Sequence, residues 1–212
     1  EKDIDIIPNM IEIDNNSNID VNTEFDEKTI CYLGSLEQRK GVLILAAAFN
    51  KVKKIVPEAH INFIGRDTKR NDRNISTKEY ILQIIEEKEG CTFQNHIPNS
   101  EVSRYIKKSN LLVFPSIFEN FPYVVLEAMK CGKAIIGSAN GGIKEMFEDK
   151  VSGLLYTPPN IDELSYLMCK VILNSMLAKS LGDNARRTVT RFDVNNIIRK
   201  QLNFYKKIIK KG

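Results

Sequence analysis

The chain has 212 residues, 42% of them hydrophobic and 27% charged, close to the globular average. That length buries enough apolar surface to hold a core without staples, which excludes disorder along most of it. The net charge of +4 is too mild to argue for nucleic acid. The longest apolar stretch, Val42–Phe49, falls far short of the roughly 20 residues of a membrane span.

Residues 1–28 are polar and rich in Asp and Asn, with one apolar patch at Ile4–Ile13 that Pro8 interrupts. They read as a linker or arm, and residues 29–212 as one domain. The first residue is Glu1 rather than Met, so we expect a fragment of a longer chain. Thr29–Gly34 reads as a strand and Lys40–Val56 as a helix, with apolar side chains at helical spacing and Pro57 as its stop. His60–Gly65 is a second strand, followed by a charged loop from Arg66 to Ser76. A helix over Thr77–Lys88, a strand over Cys91–Gln94 and a helix over Ser100–Lys108 with Ser100 as its N-cap come next. Leu111–Pro115 is a nearly unbroken apolar strand. Pro122–Cys131 is a helix with proline in its first turn. Ala134–Gly137 and Gly153–Tyr156 read as strands, and Ile161–Asn174, Met176–Arg187 and Val194–Lys210 as three closing helices.

Strands alternating with helices predict a single Rossmann-like α/β domain, a parallel sheet with helices on both faces. Ligands of such sheets bind beyond the carboxyl ends of the strands. The loops after Leu33, Ile64, Phe93, Phe114 and Ile136 are therefore the ones that matter. Cys31, Cys91, Cys131 and Cys169 form no C-x-x-C pair and read as reduced, small hydrophobes. With only His60 and His96, a His-rich metal site has little material.

Three loops carry the chemistry. Gly34-Ser35-Leu36-Glu37-Gln38-Arg39-Lys40-Gly41 joins the first strand to the first helix; its glycines and helix N-terminus suit an anion, and Lys40 adds charge. An ordinary strand–helix turn would look similar. Pro115-Ser116-Ile117-Phe118-Glu119-Asn120-Phe121-Pro122 leads into a helix containing Glu127, so two carboxylates eight residues apart flank one helix N-terminus. A ligand with a diphosphate at that terminus and hydroxyls on either side fits this layout. Alternatively Glu119 caps the helix and Glu127 is solvated. Asn140-Gly141-Gly142-Ile143-Lys144-Glu145 is a third close-approach loop, or a turn into a short helix.

These loops, in this order, resemble the C-terminal, nucleotide-sugar-binding domain of GT-B retaining glycosyltransferases of group 1, also called family 4. The resemblance rests on the E-x7-E pair Glu119/Glu127, Pro115-Ser116, the loop Gly34…Lys40-Gly41, Gly65, Gly132, Gly141-Gly142-x-x-Glu145 and Gly153-Leu154-Leu155. Ile6-Ile7-Pro8-Asn9 resembles the family's interdomain linker, and the likeness runs from about residue 6 to residue 205. It implies that Glu127 receives the ribose hydroxyls, that Glu119 holds hydroxyls of the donor sugar, and that the backbone of Asn120, Phe121, Tyr123 and Val124 meets sugar and phosphates. Lys40 would neutralise the departing diphosphate, with Glu119 and Lys40 as the catalytic pair. Gly34, Ser35 and Arg39 would line the phosphate loop, and Asn95, His96 and Ile97 would face the base. No cofactor and no pocket metal are implied.

Two departures stand out. The family carries arginine directly after the first glycine, where this chain has Ser35, and Arg39 is the nearest substitute. Its second glycine is Pro122 here, which removes one backbone donor.

The resemblance thus implies the donor half of an enzyme that transfers a sugar from a nucleoside diphosphate to an acceptor hydroxyl, in surface polysaccharide or glycolipid synthesis. The expected partners are a nucleotide-sugar and a missing N-terminal acceptor domain, and the expected place is the cytoplasm, at the inner face of the membrane. The basic last helix, with Arg199, Lys200, Lys206, Lys207, Lys210 and Lys211, could lie on anionic lipid or simply pack with a solvated face. A non-catalytic nucleotide-sugar-binding module and a nucleotide-sugar epimerase stay open as rivals.

Overall fold

The computed structural model describes residues 6–13 and 28–209. Six strands form one sheet: β1 (Thr29–Leu33), β2 (His60–Ile64), β3 (Cys91–Gln94), β4 (Leu111–Phe114), β5 (Ala134–Ser138) and β6 (Leu154–Tyr156). Their order is β3-β2-β1-β4-β5-β6, and every pairing is parallel. The helices are α1 (Val42–Ile55), α2 (Thr77–Ile84), α3 (Asn99–Lys108), α4 (Tyr123–Lys130), α5 (Ile161–Ile172), α6 (Ser175–Thr188) and α7 (Val194–Ile209).

The alternation of side chains along each strand explains the continuous apolar runs. Ile30 and Tyr32 of β1 point into one core, shared with Phe49 of α1, Ile81 of α2 and Met168 of α5. Cys31 and Leu33 point into the opposite core, with Ile106 of α3, Leu126 of α4 and Val189. Both faces are therefore covered, as a parallel sheet requires. The four cysteines are free thiols, and burial pushes the Cys31 thiol up to about 12.

Local chemistry moves several boundaries. Lys40 does not begin α1: Gln38–Lys40 form a 3-10 turn, and Gly41 takes a left-handed conformation before the helix starts at Val42. A Cβ on Gly41 would sit 2.0 Å from the Pro115 carbonyl oxygen, so only glycine closes this turn. Ser100 is not the N-cap of α3. The helix starts one residue earlier, because Pro98, extended at φ −59°, takes the cap position and its carbonyl accepts from the Glu101 N–H at 2.9 Å. Pro122 likewise precedes α4 rather than lying in its first turn. α2 ends at Ile84, short of Lys88.

Within the expected linker, residues 6–13 dock on the domain: the Ile11 N–H donates to the Phe192 carbonyl at 2.9 Å, and the Ile11 carbonyl accepts from the Val194 N–H at 3.0 Å. The rest of the expected arm, including the run Asp14–Asp20, lies outside the described residues, as do Lys210 and Lys211. Among the described residues, no helix is long and apolar enough to cross a membrane.

Candidate functional site

Between β1 and β4 the strand order reverses direction, which opens a crevice at their carboxyl ends. The loops after these two strands are stitched together. The Ile117 N–H donates to the Arg39 carbonyl at 2.9 Å, and the Tyr32 hydroxyl donates to the Ser35 carbonyl at 2.8 Å. From β6, the Tyr156 hydroxyl donates to the Pro115 carbonyl at 2.7 Å. The third loop supports the second: the Gly142 N–H donates to the Glu119 carbonyl at 2.7 Å. A Cβ on Gly142 would lie 1.4 Å from the Asn120 carbonyl oxygen, so the two backbones touch there.

Two clefts meet at the start of α4. The larger, about 750 Å³, is lined by Ser35, Arg66, His96, Ile97 and Glu127 among others. The smaller, about 230 Å³, holds Lys40, Ser116 and Glu119. Gly34, Tyr123 and Val124 line both. The first N–H groups of α4 stand at this junction, where a helix leaves them without intrahelical acceptors.

The charges are arranged in a chain. Lys40 Nζ forms an ion pair with Glu119. Arg39 bridges outward, with Nη1 3.7 Å from Glu119 and Nε donating to Glu37 at 2.7 Å. The Glu37 side chain is only 3% exposed and also accepts from Ser35 Oγ at 2.8 Å and Arg70 Nη1 at 3.1 Å. Burial pushes the Glu37 carboxyl up, but the bonds from Ser35 and Arg39 and the charges of Arg39 and Arg70 outweigh it and hold it below the usual range. Glu119 makes no cap on α4. Glu127 is half-buried in the wall of the larger cleft, and burial pushes its pKa up against the pull of Lys130.

The structure thus gathers Gly34, Ser35, His96, Ile97, Tyr123, Val124 and Glu127 around one cleft, and Lys40 and Glu119 in the other. It separates four further candidates. Asn95 is exposed and lies outside both clefts, and Asn120 is exposed with its carbonyl against Gly142. The Phe121 ring turns away to meet Phe192 edge-on at 5.3 Å, while its carbonyl accepts from Asn9 Nδ2 at 2.7 Å. Arg39 is drawn to Glu37, so it does not simply stand in for an arginine at position 35. Arg66, in a charged run that could touch a ligand but reads first as a solvated loop, lines the larger cleft, and Glu37 is missed. Glu37 reads as one more polar loop residue until the fold buries it. Among the described residues, no group of three or more His, Cys, Asp or Glu side chains could hold a metal ion.

An all-parallel sheet in this order, with a crevice at its switch point flanked by two carboxylates and a lysine, defines a Rossmann-like ligand-binding domain. The chain belongs to the glycosyl transferases group 1, whose family model matches residues 14–188. An uncharacterized glycosyltransferase from Methanocaldococcus jannaschii is 25% identical over 187 residues, spanning 88% of this chain and 46% of that relative. Sucrose-phosphate synthase from Thermosynechococcus elongatus superposes with a TM-score of 0.80 at 25% identity, over 97% of this chain and 53% of that one. Anabaena HepE, solved in complex with UDP-glucose, superposes with a TM-score of 0.74 at 22% identity, over 85% and 49%. The chain therefore spans about half the length of these proteins and has the fold of one half of a GT-B enzyme.

Proposed function

We propose that this chain is the donor-binding, C-terminal half of a retaining glycosyltransferase, taking a sugar from a nucleoside diphosphate to an acceptor hydroxyl. One observation carries the reading: two clefts, each with one carboxylate, meet at the free N-terminus of α4. A nucleotide-sugar has that shape. Its nucleoside enters the larger cleft, with Glu127 accepting from the ribose hydroxyls and Ile97 and His96 against the base. The diphosphate lies at the junction, on Gly34 and the Tyr123 and Val124 N–H groups. The sugar projects into the smaller cleft, toward Glu119. UDP-glucose bound by HepE supports this assignment.

In this reading catalysis is positioning plus electrostatics. Lys40 leaves Glu119 to meet the charge that grows on the departing diphosphate, and Glu119, freed of its partner, accepts from the sugar hydroxyls. Lys40 and the α4 N-terminus supply the positive charge, so the mechanism calls for no cofactor. The acceptor, a surface polysaccharide or glycolipid precursor at the inner face of the membrane, is assigned to the remainder of the longer protein. Calorimetric titration of the chain with UDP-, GDP- and ADP-sugars tests the reading. Weak binding of at least one, without transfer, is expected. Binding of none would refute the donor assignment, and sugar transfer by this chain alone would refute its being half an enzyme.

A further inference from the structure

A diphosphate entering the junction brings negative charge that one lysine neutralises only in part. The other cations near it are mostly engaged. Lys40 faces Glu119, Arg39 lies between Glu37 and Glu119, and Arg70 reaches Glu37. Arg66 differs. Among the described residues, it is the one Lys or Arg lining the larger cleft. It is exposed, and among the described residues its guanidinium has neither an ion pair nor a hydrogen bond. The adjacent carboxylate is occupied: Asp67 accepts from Ser76 Oγ at 2.6 Å and from the Lys78 N–H at 2.9 Å at the start of α2. The backbone places Arg66 beside the phosphate loop. The Gly34 N–H donates to the Ile64 carbonyl and the Leu36 N–H to the Arg66 carbonyl, both at 2.9 Å, so Arg66 follows β2 side by side with Ser35 following β1.

We infer that Arg66 is the second cation of the donor site, gripping the diphosphate from the neighbouring strand where the uncharged Ser35 cannot. This rests on the donor-binding reading above. A guanidinium fork matches two phosphate oxygens, and an unpaired one in a cleft gives up no internal bond when the ligand arrives.

The wild-type chain is titrated with UDP, GDP and ADP, and the tightest is carried forward together with its own nucleoside, uridine, guanosine or adenosine. Arg66→Ala should weaken the diphosphate by about tenfold or more, the scale of a charge-assisted hydrogen bond. It should leave nucleoside binding within about twofold, and flatten the salt dependence of diphosphate binding. Arg66→Lys should recover only part of the loss, since it keeps the charge without the fork. Melting curves of both variants should match wild type, because the exposed side chain holds no internal hydrogen bond or ion pair. Wild type binding none of the three would remove the donor-binding reading and this inference together. Wild type binding, with Arg66→Ala unchanged or with nucleoside and diphosphate weakened equally, overturns the role of Arg66 alone. So does a larger loss of diphosphate affinity in Arg39→Ala than in Arg66→Ala.

Discussion

Replacing Glu119 by alanine removes the proposed sugar ligand and, at the same stroke, the counter-charge of Lys40. The Glu119 side chain is 13% exposed and that of Lys40 21%. The pair thus falls between a surface ion pair, worth roughly 0–1 kcal/mol, and a buried one whose breaking costs roughly 3–5 kcal/mol. We take about 1–2 kcal/mol for the hold of Glu119 on Lys40. Arg39 also approaches Glu119, but it is 59% exposed and bound to Glu37, so solvent screens what it adds. A bare nucleoside diphosphate has to draw Lys40 from Glu119 in the wild type and meets no such competition in Glu119→Ala. At about 1.4 kcal/mol per decade, its affinity should rise by about five- to thirtyfold. A nucleotide-sugar gains the same term but loses the hydroxyl contacts of Glu119, worth roughly 1.5–3 kcal/mol for a charged acceptor, so it gains at most about twofold or weakens. The preference for the sugar-bearing ligand should therefore collapse by about tenfold or more. Paired calorimetric titrations at low and high salt measure this, with UDP and UDP-glucose as probes, or the guanosine or adenosine pair if that is what the wild type binds, and with the gain for the diphosphate shrinking as salt screens it. If a folded Glu119→Ala protein binds UDP no tighter than wild type, or loses both ligands in equal measure, the competition argument is wrong.

Lys40→Ala should weaken UDP and UDP-glucose alike, by about tenfold, and reduce the salt sensitivity of both titrations. Glu127→Ala should cost about 2–3 kcal/mol in nucleotide affinity with little effect on folding, read by titration beside melting curves. Because burial raises the Glu127 pKa, wild-type affinity for UDP-glucose, whose diphosphate does not titrate near neutrality, should fall as pH drops through that raised value. This occurs at a higher pH than for a solvated glutamate, and Glu127→Gln should flatten the profile. The same shift has a stability sign: the fold favours the protonated acid, so stability falls as pH rises from the ordinary carboxylate pKa through the folded one. Glu127→Gln should therefore melt above wild type at neutral pH, with the gap closing as pH is lowered through that window. Gly142→Ala drives a Cβ into the Asn120 carbonyl; it should cost about 1–3 kcal/mol of stability and weaken UDP-glucose more than UDP, since the displaced loop carries Glu119.

The central strands β1, β4 and β5 are legible because each is short and buried on both faces, the trace that a doubly covered parallel sheet leaves. Helix starts were less so. Pro98 and Pro122 take cap positions by their fixed φ, and a rule seeking a serine cap or a first-turn proline misplaces both helices by a residue. Nothing local reveals that Ile11 bonds across the chain to Phe192 and Val194, because that contact exists only after the sheet has formed.

At the site, spacing put Glu119 and Glu127 about one helix N-terminus and Lys40 in a separate loop at the same sheet end, and the resemblance joined the three. It could not say which charges answer each other. Lys40 and Glu119 are 79 residues apart and read as separate ligands, yet the fold pairs them with one another. Glu37, one residue in a polar loop, gathers Ser35, Arg39 and Arg70 and so decides which arginine is free. That choice is set by burial rather than by sequence order. A carboxylate shut away from water must be met by nearby donors, and the two arginines that meet it are withdrawn from the cleft. Arg66 escapes because Asp67 beside it is already occupied by the start of α2. On the reading proposed for Arg66, the charge left for an incoming anion after the fold's own carboxylates are satisfied lies in the loop after β2, beside the β1 loop that holds Lys40.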